Sequence, residues 1–284
     1  MPAQWPILNF QGPWWKAALS IKKGFDRGGI LAQYVQMIQI RTPEEARGAR
    51  FEGVLHNGCG YFRTDYFGGR EFSDREQPQG FYVEQAPGST VPPHFHEVDQ
   101  FQVVVRGSGI FGRHPIGPLT VHYTNAYTGY GPIHAGDGGL DYFTLRARHD
   151  SGARFFPQAR ADQKRGPRRH LLAEAPPPLG EAQLRGLDSI DVEQLIAPAE
   201  DGPGAWRVRM PPMTGDSETL SALIGTRHGG CYLVVTGGAL ASPHGALPVW
   251  CCLFIPSGDQ PPAINAASNG LEALILCFPP PRIP

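Results

Sequence analysis

Apolar runs too short for helices, each cut off by glycine or proline, recur along most of this chain. "FYVEQ" (81–85), "QFQVVVR" (100–106), "LTVHYTNAY" (119–127) and "LDYFTLRA" (140–147) come first. "WRVRM", "TLSALIGT", "CYLVVTG", "VWCCLFI" and "LEALILCF" follow. Runs of this length, rich in β-branched and aromatic residues and bounded by turn formers, predict strands. With 36 glycines, 29 prolines and only 18% charged residues, the sequence reads as all-β rather than disordered. Its 284 residues suit two domains, each large enough to bury a core.

The two β-rich halves resemble each other. "QFQVVVRGSG" (100–109) aligns with "GCYLVVTGGA" (230–239), which sets Gly107 opposite Gly237. "LTVHYTNAY" then falls beside "PVWCCLFIP", and "GLDYFTLRAR" beside "GLEALILCFP", with Leu140 opposite Leu271 and one gap between. Three strand pairs in the same order imply an internal duplication. The expected organisation is an N-terminal extension (1–50), a first β-domain (51–150), a linker (151–182) and a second β-domain (183–284). In the extension "WWKAALSIKKGF" has weak helical periodicity, "ILAQYVQMIQI" suits a strand or a short helix, and "TPEEARGAR" a polar connection. Residues 151–182 are basic and polar, then proline-rich, as a solvated linker would be. "SIDVEQLI" (189–196) reads as a short helix.

Composition narrows the function classes. Twenty-five Lys plus Arg balance 26 Asp plus Glu, so no global basic field points to nucleic acid or an anionic membrane. The local cluster "KRGPRR" (164–169) has no interleaved aromatics and reads as solvated linker. The start, "MPAQWPILNF", is not that expected of a signal peptide, and no run has the length of a membrane span. Five cysteines without a CxxC, four of them inside apolar runs, read as small core hydrophobes in a reducing cytoplasm.

The chemistry concentrates in "GSTVPPHFHEVDQFQVVVRGSG" (88–109). On a strand, residues two apart share a face, so His94 and His96 project together, as half of a transition-metal site does. Pro92 and Pro93 suggest that the strand starts at a cavity rim. Gln100 and Gln102 could face the same cavity. A third ligand must come from elsewhere: His134 in "YGPIHAGDGG", or His122 on an alternating strand. By alternation Glu97 and Asp99 point away, to the surface or a subunit contact. Tyr82, Tyr123, Tyr130 and Tyr142 are candidate pocket walls, and Arg146 is a candidate anion clamp.

Gly88, five residues, His94-Phe95-His96, three residues, Gln100, six residues and Gly107 resemble the first motif of the cupin superfamily, with Gln in place of the motif Glu. "YGPIHAGDGG" resembles the second, more loosely, since no Asn follows at the usual spacing. With the duplication, the whole chain looks like a bicupin: two double-stranded β-helix (jelly-roll) barrels. The resemblance implies one divalent transition metal on His94, His96, Gln100 and His134. Fe(II) is the favoured ion, with Mn or Zn as alternatives. Gln100 by the motif, and Tyr130 and Arg146 by strand alternation, are the expected catalytic residues, and a homodimer acting on a small-molecule substrate is expected. Three-His sites without the Glu resemble those of iron dioxygenases, and HxHxxxQ resembles the manganese site of cupin hydroxynitrile lyases. An amide oxygen neutralises none of the metal's charge, so such a site should draw an anionic or enolate-like ligand. A metal-dependent dioxygenase is therefore expected; a non-redox lyase or isomerase, or a non-catalytic binding cupin, are the alternatives. In the second half the alignment sets Ile224, Thr226, Gly230 and Asn265 opposite the four ligands, and His228 and His244 in turns, which leaves that half without a site.

Overall fold

The computed structural model describes residues 38–280, apart from 56, 70–73, 200–201, 217, 226–227 and 244. "WWKAALSIKKGF", most of "ILAQYVQMIQI", Thr226 and His244 lie outside the described residues.

Among the described residues, nineteen strands carry the fold. The first group is β1 Gln39–Arg41, β2 Arg50–Val54, β3 Gly60–Phe67, β4 Gln79–Gln85, β5 Thr90–Val91, β6 His94–Phe95, β7 Gln100–Phe111, β8 His114–Ile116, β9 Val121–Thr124 and β10 Ile133–Arg146. The second is β11 Arg154–Phe155, β12 His170–Ala173, β13 Asp191–Ile196, β14 Gly204–Met210, β15 Gly215–Asp216, β16 Cys231–Ser242, β17 Gly245–Leu247, β18 Cys252–Ile255 and β19 Ile264–Cys277. They form two antiparallel jelly-roll barrels. The first has the order β12-β9-β7-β10-β4-β3-β2, with β5 on β10 and β8 on β7. The second has β1-β18-β16-β19-β14-β13, with β15 on β19 and β17 on β16.

The barrels repeat one another without a gap. β7, β9 and β10 start at 100, 121 and 133, and β16, β18 and β19 at 231, 252 and 264, so each pair is 131 apart. The partner of Gly107 is therefore Gly238, not the Gly237 of the sequence alignment. Both have positive φ (80° and 62°). A Cβ on either would come within 2.1 Å of a carbonyl oxygen, that of Gly139 or of Gly270, so each barrel needs glycine at this crossing.

Three expected elements are corrected. "SIDVEQLI" is strand β13, paired with β14 from Asp191↔Arg209 to Ile196↔Ala205. "TLSALIGT" holds a helix, Glu218–Ile224. It is started by Asp216, whose Oδ1 accepts the N–H groups of Glu218 and Thr219, both at 2.9 Å. Residues 151–182 are not a free linker, because β11 pairs with β6 and β12 with β9. "TPEEARGAR" contains a one-turn helix, Pro43–Ala46, closed by a capping box between Thr42 and Glu45.

The edge strands cross over. β1 precedes the first barrel but pairs with β18 of the second, Gln39↔Phe254 to Arg41↔Cys252. β12 follows the first barrel and pairs with its β9, Leu171↔Tyr123 to Ala173↔Val121. Residues 39–41 and 171–173 thus hold equivalent places, each in the barrel of the other repeat. The outward faces of both barrels meet in one shared apolar layer. Phe101, Tyr123, Phe143 and Leu145 of the first pack with Tyr232, Phe254, Leu276 and Phe278 of the second.

Candidate active site

The residues that face inward differ between the barrels. At five inward positions the first has Gln100, Gln102, His122, Thr144 and Arg146, all buried. The residues 131 further on are Cys231, Leu233, Leu253, Ile275 and Cys277, and these close the core of the second barrel. A buried side chain of Leu or Ile contributes roughly 1.5–3 kcal/mol. A buried polar one must find partners instead. Beside its own apolar cluster the first barrel carries a polar set and a cavity of about 370 Å³, of the size of a small-molecule site.

His94 and His96 reach this cavity from β6 and the residue just after it. His94 Nδ1 donates to the carbonyl of Pro92 at 2.7 Å, and His96 Nδ1 to Asp150 Oδ1, also at 2.7 Å. Both Nε2 atoms are therefore left as lone pairs. Burial, helped by the mutual repulsion of the two rings, lowers His94 to about 3. Burial and the Arg146 charge lower His96 to about 4, so both imidazoles are neutral. Burial opposes ionisation of Asp150, but the His96 hydrogen bond and Arg146 outweigh it and hold the carboxyl well below its usual range. Asp150 also accepts the N–H groups of Glu97 and Gly152, each at 2.8 Å.

Arg146, at the end of β10, lies at the centre. Its Nη2 is 3.1 Å from His96 Nε2 and 2.9 Å from Gln100 Oε1. Its Nε donates to the same Gln100 oxygen at 3.1 Å and its Nη1 to Gln79 Oε1 at 2.5 Å. Gln100 Nε2 donates to the Tyr130 hydroxyl at 2.5 Å. The Tyr130 backbone bridges that of His94, with N–H···O distances of 3.0 and 2.9 Å. Its ring lies 4.4 Å from the His94 ring, and burial raises the phenol above its ordinary value.

Five of the six candidate site residues thus come together: His94, His96, Gln100, Tyr130 and Arg146. His134 does not join them. On β10 the neighbours Ile133 and Ala135 face inward, so His134 faces solvent and its Nδ1 meets Thr90 Oγ1 at 2.7 Å. His122 is buried inside the barrel, with Nδ1 on Gln102 Oε1 at 2.9 Å and Nε2 without a partner. Of the four tyrosines, Tyr130 and Tyr142 line the cavity, whereas Tyr82 bonds Asp141 and Tyr123 bonds Asp99. Glu97 pairs with Arg154 at 3.0 Å, and Asp99 ties the 126 amide at 2.8 Å. Sequence reasoning missed Asp150 and Gln79, which lie far along the chain and belong to no local motif.

These residues fit a transition metal in part. The lone pair of His96 Nε2 and the Gln100 oxygen converge on one point, and a cation, the Arg146 guanidinium, stands there. His94 adds a second neutral imidazole, and Asp150 is the outer carboxylate that a ligating histidine needs. Among the described residues no three His, Cys, Asp or Glu side chains cluster to hold a metal. The set is two imidazoles and one amide.

In the second barrel Cys231 and Cys277 replace Gln100 and Arg146, and they form a disulfide between directly paired residues of β16 and β19. The expectation that the four cysteines in apolar runs are free is corrected for Cys231 and Cys277, whereas Cys251 and Cys252, and also Cys59, are free. The one-residue change of alignment moves the counterparts of His94, His96 and Gln100 to Gly225, Arg227 and Cys231, while Asn265 still faces His134. Arg227 lies outside the described residues.

No family model matches the sequence, and neither does any curated protein. Solved structures do. A candidate dioxygenase from Nostoc punctiforme superposes with a TM-score of 0.57 at 10% identity, over 86% of this chain and 83% of its own. A protein from Geobacillus kaustophilus superposes with a TM-score of 0.52 at 12% identity, over 87% of this chain and 96% of its own. Identities this low bear on the fold, and with the strand order, the repeat and the inward histidine pair they give one conclusion: this chain has the cupin fold in its two-barrel form.

Proposed function

We propose that the chain is an enzyme acting on a small organic anion with the help of one divalent transition metal, held by His94, His96 and Gln100. The observation that carries this reading is the pair of neutral imidazoles, each with Nδ1 fixed by an oxygen and Nε2 unprotonated, that of His96 facing Arg146 Nη2. Fe(II) bound there would supply electron transfer to dioxygen, and Mn(II) or Zn(II) Lewis acidity alone. The chain's own residues do the rest. Asp150 fixes the His96 tautomer and ring plane. Arg146 carries a permanent charge inside the barrel and would bind an enolate, phenolate or carboxylate oxygen. Tyr130 stays protonated and can donate its O–H to a second substrate oxygen. Tyr61, Phe81, Tyr142 and Phe155 form flat apolar walls that suit an aromatic or conjugated substrate and exclude water.

Oxygen-dependent cleavage is the favoured reaction, supported by the anion-directed charge of a site without a carboxylate ligand. The test is turnover of catechols, hydroxy-aromatic acids and β-diketones by Fe(II)-loaded protein, with oxygen uptake recorded. Stoichiometric uptake, lost in His96→Ala, is expected. Turnover undiminished without oxygen would replace the dioxygenase with a lyase or isomerase.

A further inference from the structure

Arg146 is more than a neighbour of the metal-ligating atoms. One of its atoms, Nη2, lies within hydrogen-bond distance of both His96 Nε2 (3.1 Å) and Gln100 Oε1 (2.9 Å). A metal bound by those two atoms would sit about 2.1 Å from each, inside the volume that Nη2 fills. The guanidinium and a divalent ion would also repel each other strongly in a buried site. We infer that Arg146 is a built-in competitor for the metal: its present position and metal occupancy exclude each other, so loading requires the guanidinium to leave His96 and Gln100.

Two further observations support this. The guanidinium is anchored from behind, by Gln79 Oε1 on Nη1 and by Asp150 Oδ1 at 3.6 Å, so it can give up its front contacts and keep those. It also borders the open cavity and lies 5.4 Å above the Phe81 ring, which gives it a place to turn towards. The contact is a feature of the barrel, since the equivalent residues of the second barrel, Cys231 and Cys277, are joined covalently. An anionic substrate oxygen in the cavity would compete for Arg146 and so favour loading.

This inference rests on the metal reading above, and the experiment separates the two. Mn(II) affinity is measured on chelator-treated full-length protein by titration and by the EPR signal of free Mn(II). Arg146→Gln removes the charge and should bind Mn(II) at least about tenfold more tightly than the parent chain. Arg146→Lys retains the charge and should stay within about threefold of the parent. Adding His96→Ala to Arg146→Gln should abolish the gain. Circular dichroism checks folding. Should Arg146→Gln not fold, Arg146→Met removes the same charge with a side chain of similar length and should tighten Mn(II) to the same degree. Equal, His96-dependent affinity in the parent and the charge-removed chain would overturn the competitor and leave the metal reading intact. No His96-dependent binding in any variant would overturn both.

Discussion

Asp150 is 54 residues from His96 in sequence yet decides what that imidazole can do. It holds the proton on Nδ1, so Nε2 keeps its lone pair down to the pH near 4 at which the ring itself takes up a second proton. The cost appears in acid. His94 and His96 are held at about 3 and 4 in the folded chain, against an ordinary 6.5. His122 and His228 are lowered too, again chiefly by burial. The unfolded chain therefore takes up protons near pH 6.5 that the folded chain refuses. Stability is full above that pH and falls as the pH drops towards 4, by about 1.4 kcal/mol per unit for each such proton. Denaturant midpoints of chelator-treated protein between pH 7.5 and 4.5 should fall steadily; a flat profile would contradict the burial of neutral imidazoles. The histidine pair was legible in the sequence because HxH is local and a strand alternates. The direction of His134 was not, because it depends on the register of β10 against β5 and β7, and a shift of one residue turns every side chain over.

At the scale of elements, β16 and β19 show how the same strand pair is filled without a polar set. Where β7 and β10 set an amide against a guanidinium, these strands set two cysteines. The disulfide closes a loop with a separation of 46 residues, which in the chain-entropy account contributes roughly 4 kcal/mol. Thiol titration of unreduced, denatured protein should find three reactive cysteines, and Cys231→Ser should melt well below the parent. Five reactive thiols would contradict the pairing. The sequence placed these cysteines in apolar runs correctly. Their pairing needed the cross-strand register, which is set by contacts no local pattern contains. Likewise "TLSALIGT" has a strand's composition, and only the Asp216 cap and its packing against the second core make it a helix.

At the scale of the whole molecule, the all-β class was legible from strand lengths and turns, the duplication from the aligned halves, and the jelly-roll architecture from the motif resemblance around His94 and His96. The crossing of β1 and β12 was not, since nothing in a three- or four-residue strand says which barrel it will join. A chain ended at 150 would lose β11 and β12, uncover the edge of β9 and expose the shared face of Phe101, Tyr123, Phe143 and Leu145. It should aggregate or remain unfolded, whereas a soluble fragment with a cooperative melt would show that the first barrel stands alone. The exchange of β1 and β12 has a historical meaning as well. Two copies of one cupin that trade their first strands make a swapped dimer, and here a single polypeptide joins them. Of the two barrels only the first carries the buried polar set. The other was free to fill its interior with leucine and cystine, yet could not be deleted, because it still holds a strand of its neighbour's repeat and supplies one in return.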